Sequence, residues 1–155
     1  MLSLDEKRKE AYRFFLTAHV KLTEELDSAM TAANMLPLTW YDVLVSLELA
    51  ENHSLRMSEL ADTVLLSRSG LTRLVDRLED KGYVERRACP SDRRGFHCVL
   101  TPLGQQAREN SWPLYSSLIE EMFGSQMTDI EVDEITKIMK RVVDSVEEFK
   151  KTKRS

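Results

Sequence analysis

Between Arg68 and Arg77, short polar and cationic side chains recur at helical spacing: Arg68, Ser69, Thr72, Arg73 and Arg77, with Asp76 among them. A guanidinium forks several donors toward phosphates or base edges, and a short hydroxyl both donates and accepts at close range. Interleaved with them, Leu71, Leu74, Val75 and Leu78 repeat at i, i+3, i+4 and i+7. One side of this helix is therefore apolar and the other presents donors. A second cationic cluster, Arg93 and Arg94, follows Asp92 in the polar stretch from Ala88 to Gly95, which also holds Pro90. Cations at a loop tip suit the DNA minor groove, where negative potential is concentrated. A donor-bearing helix suits the major groove. Asp92 reads as a local anchor that pairs with an arginine and fixes the loop. The chemistry these residues fit is contact with double-stranded nucleic acid.

Total charge alone points the other way, because the 155 residues sum to −4. The distribution decides the matter. From Ser67 to Thr101 eight Lys/Arg face five Asp/Glu, a local +3, so the remainder carries −7. A local basic stripe is what meets phosphates.

The elements that must hold these groups follow from composition and periodicity. A 42% hydrophobic and 31% charged chain with 5 glycines and 4 prolines is a folded protein built mainly from helices. No apolar run is long enough to span a membrane, and the opening MLSLDEKRKE has no signal-peptide core, so a soluble cytoplasmic location is expected. Two cysteines without a CxxC pair, and histidines at 19, 53 and 97 without partner spacing, give no metal site. Neither HExxH nor G-x-S-x-G nor a phosphate loop is present, so no enzyme and no cofactor are expected.

Ser3-Leu4-Asp5-Glu6 reads as a capping box opening a long amphipathic helix that stops before Leu36-Pro37. Thr39 is expected to cap a second helix, with Trp40, Val43, Leu44 and Leu47 as its buried stripe. A short helix spans about Met57–Val64. Ser67 is the expected N-cap of the donor-bearing helix, and Gly82 closes it. Tyr83–Arg87 and Phe96–Leu100 read as the strands of a hairpin, with Phe96, Cys98 and Leu100 on one face. Thr101-Pro102 starts a long helix, which Pro113 should kink, and Thr128-Asp129-Ile130-Glu131 caps the last one. The expected fold is mainly α with a two-stranded β wing: a winged helix-turn-helix flanked by terminal helices. Its parts are an N-terminal helix at 1–36, the winged region at 37–104 and C-terminal helices at 105–155, and the apolar faces of the terminal helices suit dimerisation.

The stretch from Met57 to Gly104, MSELADTVLLSRSGLTRLVDRLEDKGYVERRACPSDRRGFHCVLTPLG, resembles the MarR-type winged-helix transcription regulators. The Asp-x-Arg of the wing (Asp92, Arg94), the Leu-Thr that ends it (Leu100, Thr101) and the Leu-Glu-x-x-Gly exit (Leu78, Glu79, Gly82) carry the likeness. It implies a homodimer with intertwined first and last helices, a palindromic operator, and a small-molecule crevice between the dimerisation and DNA-binding parts. Arg94 becomes the minor-groove arginine and Asp92 its positioning partner.

His19, Trp40, Tyr41 and Trp112 are the candidates for a small aromatic ligand, since amphipathic rings hold flat molecules. Each also has a plain structural reading in packing. The expected function is a repressor released by such a ligand. Two alternatives stand beside it: a winged-helix protein-interaction module without DNA, and a redox-sensing regulator built on Cys89 or Cys98.

Overall fold

The computed structural model describes residues 4–64, 68–89 and 92–153; the side chains of residues 68, 69 and 92–94 lie outside that description. The chain divides into two compact units, Met1–Ser116 and Ser117–Ser155.

The first unit opens with helix α1 (Glu6–Ala32). Asp5 provides its cap, accepting the Arg8 amide at 2.9 Å; Ser3, the first residue of the expected capping box, lies outside the described residues. Its C-terminus turns through Asn34 at φ 55°, with Asn34 N donating to Thr31 O and Met35 N to Met30 O. That is a Schellman closure with asparagine in the left-handed seat. Helix α2 (Leu38–Leu49) follows without a side-chain cap of its own. Thr39 therefore does not cap it: the Pro37 turn starts the helix two residues earlier, and Asp27 of α1 accepts the Leu38 amide at 2.7 Å. Val43, Leu44 and Leu47 are fully buried and Trp40 partly so.

Asn52 and His53 both take positive φ, which throws the chain into a short strand, β1 (Ser54–Arg56). Sequence periodicity leaves this strand unseen, because three residues are too few to show alternation. Helix α3 (Met57–Thr63) and helix α4 (Arg68–Asp80) complete the helix-turn-helix. Ser67, the expected cap of α4, lies outside the described residues. Gly82 at φ +72° ends α4, with Gly82 N donating to Glu79 O and Tyr83 N to Leu78 O.

Strands β2 (Val84–Cys89) and β3 (Asp92–Leu100) form the wing and extend further toward its tip than alternation indicates. The antiparallel sheet has order β1-β3-β2, with Arg56↔His97 and Leu55↔Cys98 across one ladder and Arg86↔Cys98 and Arg87↔His97 across the other. Cys98 and Leu100 face the core as expected, whereas Phe96 is half exposed. Thr101 caps helix α5 (Pro102–Met122): its hydroxyl accepts the Gly104 amide at 3.1 Å and donates to Gly82 O at 2.6 Å. Helix α5 continues through Pro113.

The core of this unit joins Leu44 and Leu47 of α2, Leu60 of α3, Leu71, Val75 and Leu78 of α4, and Val84, Cys98 and Leu100 of the sheet. These are the stripe residues of each element, so burying them sets the angle at which α4 presents its opposite face.

The second unit contains the turn Gly124–Gln126 and helix α6 (Asp129–Lys153). Thr128 and Glu131 form the capping box that the sequence indicates, Thr128 N donating to Glu131 Oε2 at 2.8 Å. Helix α6 buries none of its residues; Ile138, Val142, Val143, Val146 and Phe149 are exposed.

Candidate nucleic-acid interface

Helix α4 carries the donors. Thr72, Arg73 and Arg77 are exposed on the side away from the buried Leu71, Leu74, Val75 and Leu78. Among the described residues neither Arg73 nor Arg77 is tied up in an ion pair. Backbone positions 68 and 69 belong to the first turn of α4, but the Arg68 and Ser69 side chains lie outside the described residues. The same holds for the side chains of Asp92, Arg93 and Arg94 at the start of β3, so the proposed Asp92 anchor has no described geometry.

One arginine of the basic segment behaves differently. Arg86 of β2 points across the inner face of the sheet into α4. Its Nη1 donates to Glu79 Oε2 at 2.6 Å and its Nη2 to Asp76 Oδ1 at 2.5 Å and Thr72 O at 3.4 Å. The other Glu79 oxygen accepts the Arg86 amide at 3.0 Å. Burial works against the charge of this guanidinium, and the bonds from Asp76 and Glu79 outweigh it, raising its pKa further. Counting charges places Arg86 among free cations; the fold pairs it. The sequence signal for this was an acid pair at i and i+3 on α4 beside a strand arginine that alternates inward.

The outer face of the sheet sets Arg56, His97 and Arg87 side by side across its three strands. Ser54 Oγ lies 3.2 Å from His97 Nδ1, and Arg87 pairs with Glu85.

A cavity of about 600 Å³ lies within the first unit. The α1–α2 link (Asn34, Pro37), Trp40, Lys81, Tyr83 and Gln106 line it. Trp40 meets Tyr83 edge to face, ring centroids 6.4 Å apart. The other ligand candidates do not gather with Trp40. Tyr41 is buried in the core against Tyr115, centroids 4.6 Å apart, with its hydroxyl bonded to Arg108. Trp112 is half exposed and packs edge-on against Tyr115 at 6.2 Å. His19 is exposed on α1. Of the lining residues sequence reasoning nominated Trp40 alone; Lys81 and Tyr83, which periodicity assigns only to a helix end and a strand start, are among those it missed.

Residues that sequence reasoning also missed link α2 to α5. Arg108 Nη2 donates to Glu48 Oε1 at 2.5 Å, both side chains mostly buried, while Arg108 Nε finds no acceptor. Burial pushes the Tyr41 and Tyr115 phenols up, so both stay protonated.

Of the two cysteines, Cys98 is fully buried and burial pushes its thiol up to about 12. Cys89 is also buried. Among the described residues no cluster of His, Cys, Asp and Glu is arranged to hold a metal, and no helix is long and apolar enough to cross a membrane.

Comparison with known proteins matches residues 36–95 to the MarR family model. Among curated relatives, the transcriptional repressor MprA of Escherichia coli (strain K12) is 31% identical over 111 residues, 72% of this chain and 62% of the relative. The HTH-type transcriptional regulator MhqR of Bacillus subtilis (strain 168) is 31% identical over 93 residues, 60% of this chain and 63% of the relative. These matches thus span less than two thirds of either relative. Among solved structures, Sco3205, a MarR family transcriptional regulator from Streptomyces coelicolor in complex with DNA, superposes with a TM-score of 0.83 at 28% identity, covering 94% of this chain and 91% of that one. AbsC, a MarR family transcriptional regulator from the same organism, gives 0.82 at 27% identity, covering 95% and 99%. The matched proteins are transcriptional regulators.

Proposed function

Because the chain belongs to the MarR family, we propose that it is a homodimeric, sequence-specific DNA-binding regulator of the cytoplasm, a repressor that leaves its operator when a small aromatic ligand binds. The observation that carries this reading is α4: a helix locked by its apolar stripe to the sheet, with Thr72, Arg73 and Arg77 exposed and the wing beside it. Arg68, Ser69, Arg93 and Arg94 complete the contact set by sequence, with Asp92 positioning Arg94. The similarity to a relative solved on DNA supports it.

The apolar faces left open on α1 (Phe14, Phe15, Val20) and α6 support a second copy as their cover. Two copies related by a twofold axis would read a palindrome with half-sites one helical turn apart, about 34–36 Å. The cavity beside Trp40 supports a ligand site, where occupancy would favour a dimer whose α4 helices no longer match that spacing.

Selection from a random duplex pool at two salt concentrations tests the reading. The expected product is an inverted repeat whose binding weakens steeply with salt. A pool that stays random points instead to the protein-interaction reading. On the selected duplex, Arg94→Ala should weaken binding by about 1–3 kcal/mol; unchanged affinity would remove Arg94 from the groove.

A further inference from the structure

Two carboxylates stand on the edge of α4 that the DNA reading turns toward phosphates, Asp76 and Glu79. Charges of that sign repel a polyanion, so their presence needs a reason. Their geometry supplies one. Glu79 grips β2 twice, through the Arg86 amide at 3.0 Å and the Arg86 guanidinium at 2.6 Å. Asp76 takes the other end of the fork at 2.5 Å, and the Thr72 carbonyl lies 3.4 Å from the same nitrogen. The wing strand is thereby tied to α4 at Thr72, Asp76 and Glu79, on successive turns of the helix, the first through the main chain of a proposed DNA contact. We infer that Arg86 is a positioning residue for DNA binding: held by Asp76 and Glu79, it fixes the wing relative to the recognition helix so that both grooves are met at once.

Apolar packing alone holds a sheet against a helix but tolerates small slides, whereas a charge-assisted fork fixes both distance and direction. Both terminal nitrogens of Arg86 donate to α4, and only about a fifth of its side chain is exposed. It therefore acts through the position of the wing rather than by touching phosphate. This inference rests on the DNA-binding reading above.

The test uses the full chain and one labelled duplex recovered by the wild type from random-sequence DNA. Wild type, Arg86→Met, Arg86→Lys and Glu79→Ala are titrated at several salt concentrations, and their melting temperatures are recorded. Arg86→Met and Glu79→Ala should each bind about tenfold more weakly, the size of one hydrogen bond to a charged group. The slope of log affinity against log salt should stay at the wild-type value. Hydroxyl-radical footprints should lose protection in the minor groove flanking the site while the major-groove contact persists. Arg86→Lys should recover part of the loss, because one ammonium can hold one carboxylate but not the whole fork.

Glu79→Ala is the decisive variant. It removes a negative charge near DNA, so charge alone would tighten binding, whereas loss of positioning loosens it. Tighter or unchanged binding by Glu79→Ala overturns the inference. So does a salt slope for Arg86→Met that is shallower by about one, the mark of a lost phosphate contact. Should Arg86→Met fail to fold, Glu79→Ala and Arg86→Lys give the answer alone. Wild type that binds no duplex overturns the function and this inference together; normal wild-type binding with indifferent variants overturns the inference alone.

Discussion

Arg108 shows what a single buried cation commits the chain to. It bridges Glu48 and the Tyr41 hydroxyl across 60 positions of sequence. Replacing it with methionine strands a mostly buried carboxylate, and about 2–3 kcal/mol of stability should be lost in a denaturant titration. Pairing Arg108→Met with Glu48→Gln should cost clearly less than the two separate losses added. Cys98 gives the opposite kind of prediction. With its thiol pushed up to about 12 by burial, almost no thiolate exists at neutral pH. Iodoacetamide at pH 8 should leave Cys98 unlabelled in the native protein and label it after denaturation, as read by mass spectrometry. Rapid native labelling would revive the redox alternative for that position.

At the scale of elements, what was legible in the sequence was what is local. Gly82, Thr101-Pro102 and Thr128–Glu131 announce helix ends through bonds that close within a few residues, and they stand where expected. The stripe of α4 was readable because four leucine and valine positions repeat over two turns. What stayed hidden is held by distant partners. Strand β1 exists because β3 offers it a ladder. Helix α2 starts where Asp27, 11 residues upstream, accepts its amide. Arg86 looked like any other arginine until α4 came alongside it. Trp40 could be nominated for a cavity from its type, but Lys81 and Tyr83 could be added only once the α1–α2 link and α5 were in place.

The caps carry their own predictions. At Gly82 an added methyl would face left-handed backbone, so Gly82→Ala should lower stability by about 1 kcal/mol in a thermal melt. Asn34 sits in the equivalent seat of α1, and Asn34→Gly should raise stability by a few tenths of that amount or more. Bonds from the Thr128 amide and hydroxyl hold the Glu131 carboxyl below the usual glutamate range. A lowered pKa means the cap is intact above the ordinary glutamate value and is lost as pH falls through the lowered one. The Glu131 carboxyl resonance should titrate below an ordinary glutamate, and Thr128→Ala should bring it only part of the way back, because the amide bond at 2.8 Å remains when the hydroxyl is gone.

For the whole molecule, the open apolar face of α6 is the feature to press. A 25-residue helix is about 37 Å long, and none of its residues is buried. If a second copy covers this face as proposed, Val146→Asp should shift sedimentation from the mass of two chains toward one and weaken operator binding in parallel, because a single half-site loses the contacts of its twin. A variant that still sediments as a dimer would place the dimer contact elsewhere.

Gly104 has a further consequence. A Cβ there would come within 2.1 Å of the Tyr83 carbonyl, main chain against main chain. Two walls of the 600 Å³ cavity, Tyr83 and the first turns of α5, are therefore spaced by backbone and not by side chains. If the cavity takes a ligand and α4 reads an operator as proposed, related chains that keep this abutment could exchange Trp40, Asn34 or Gln106 one at a time without moving α4. On that proposal, signal and address would be free to diverge separately through descent.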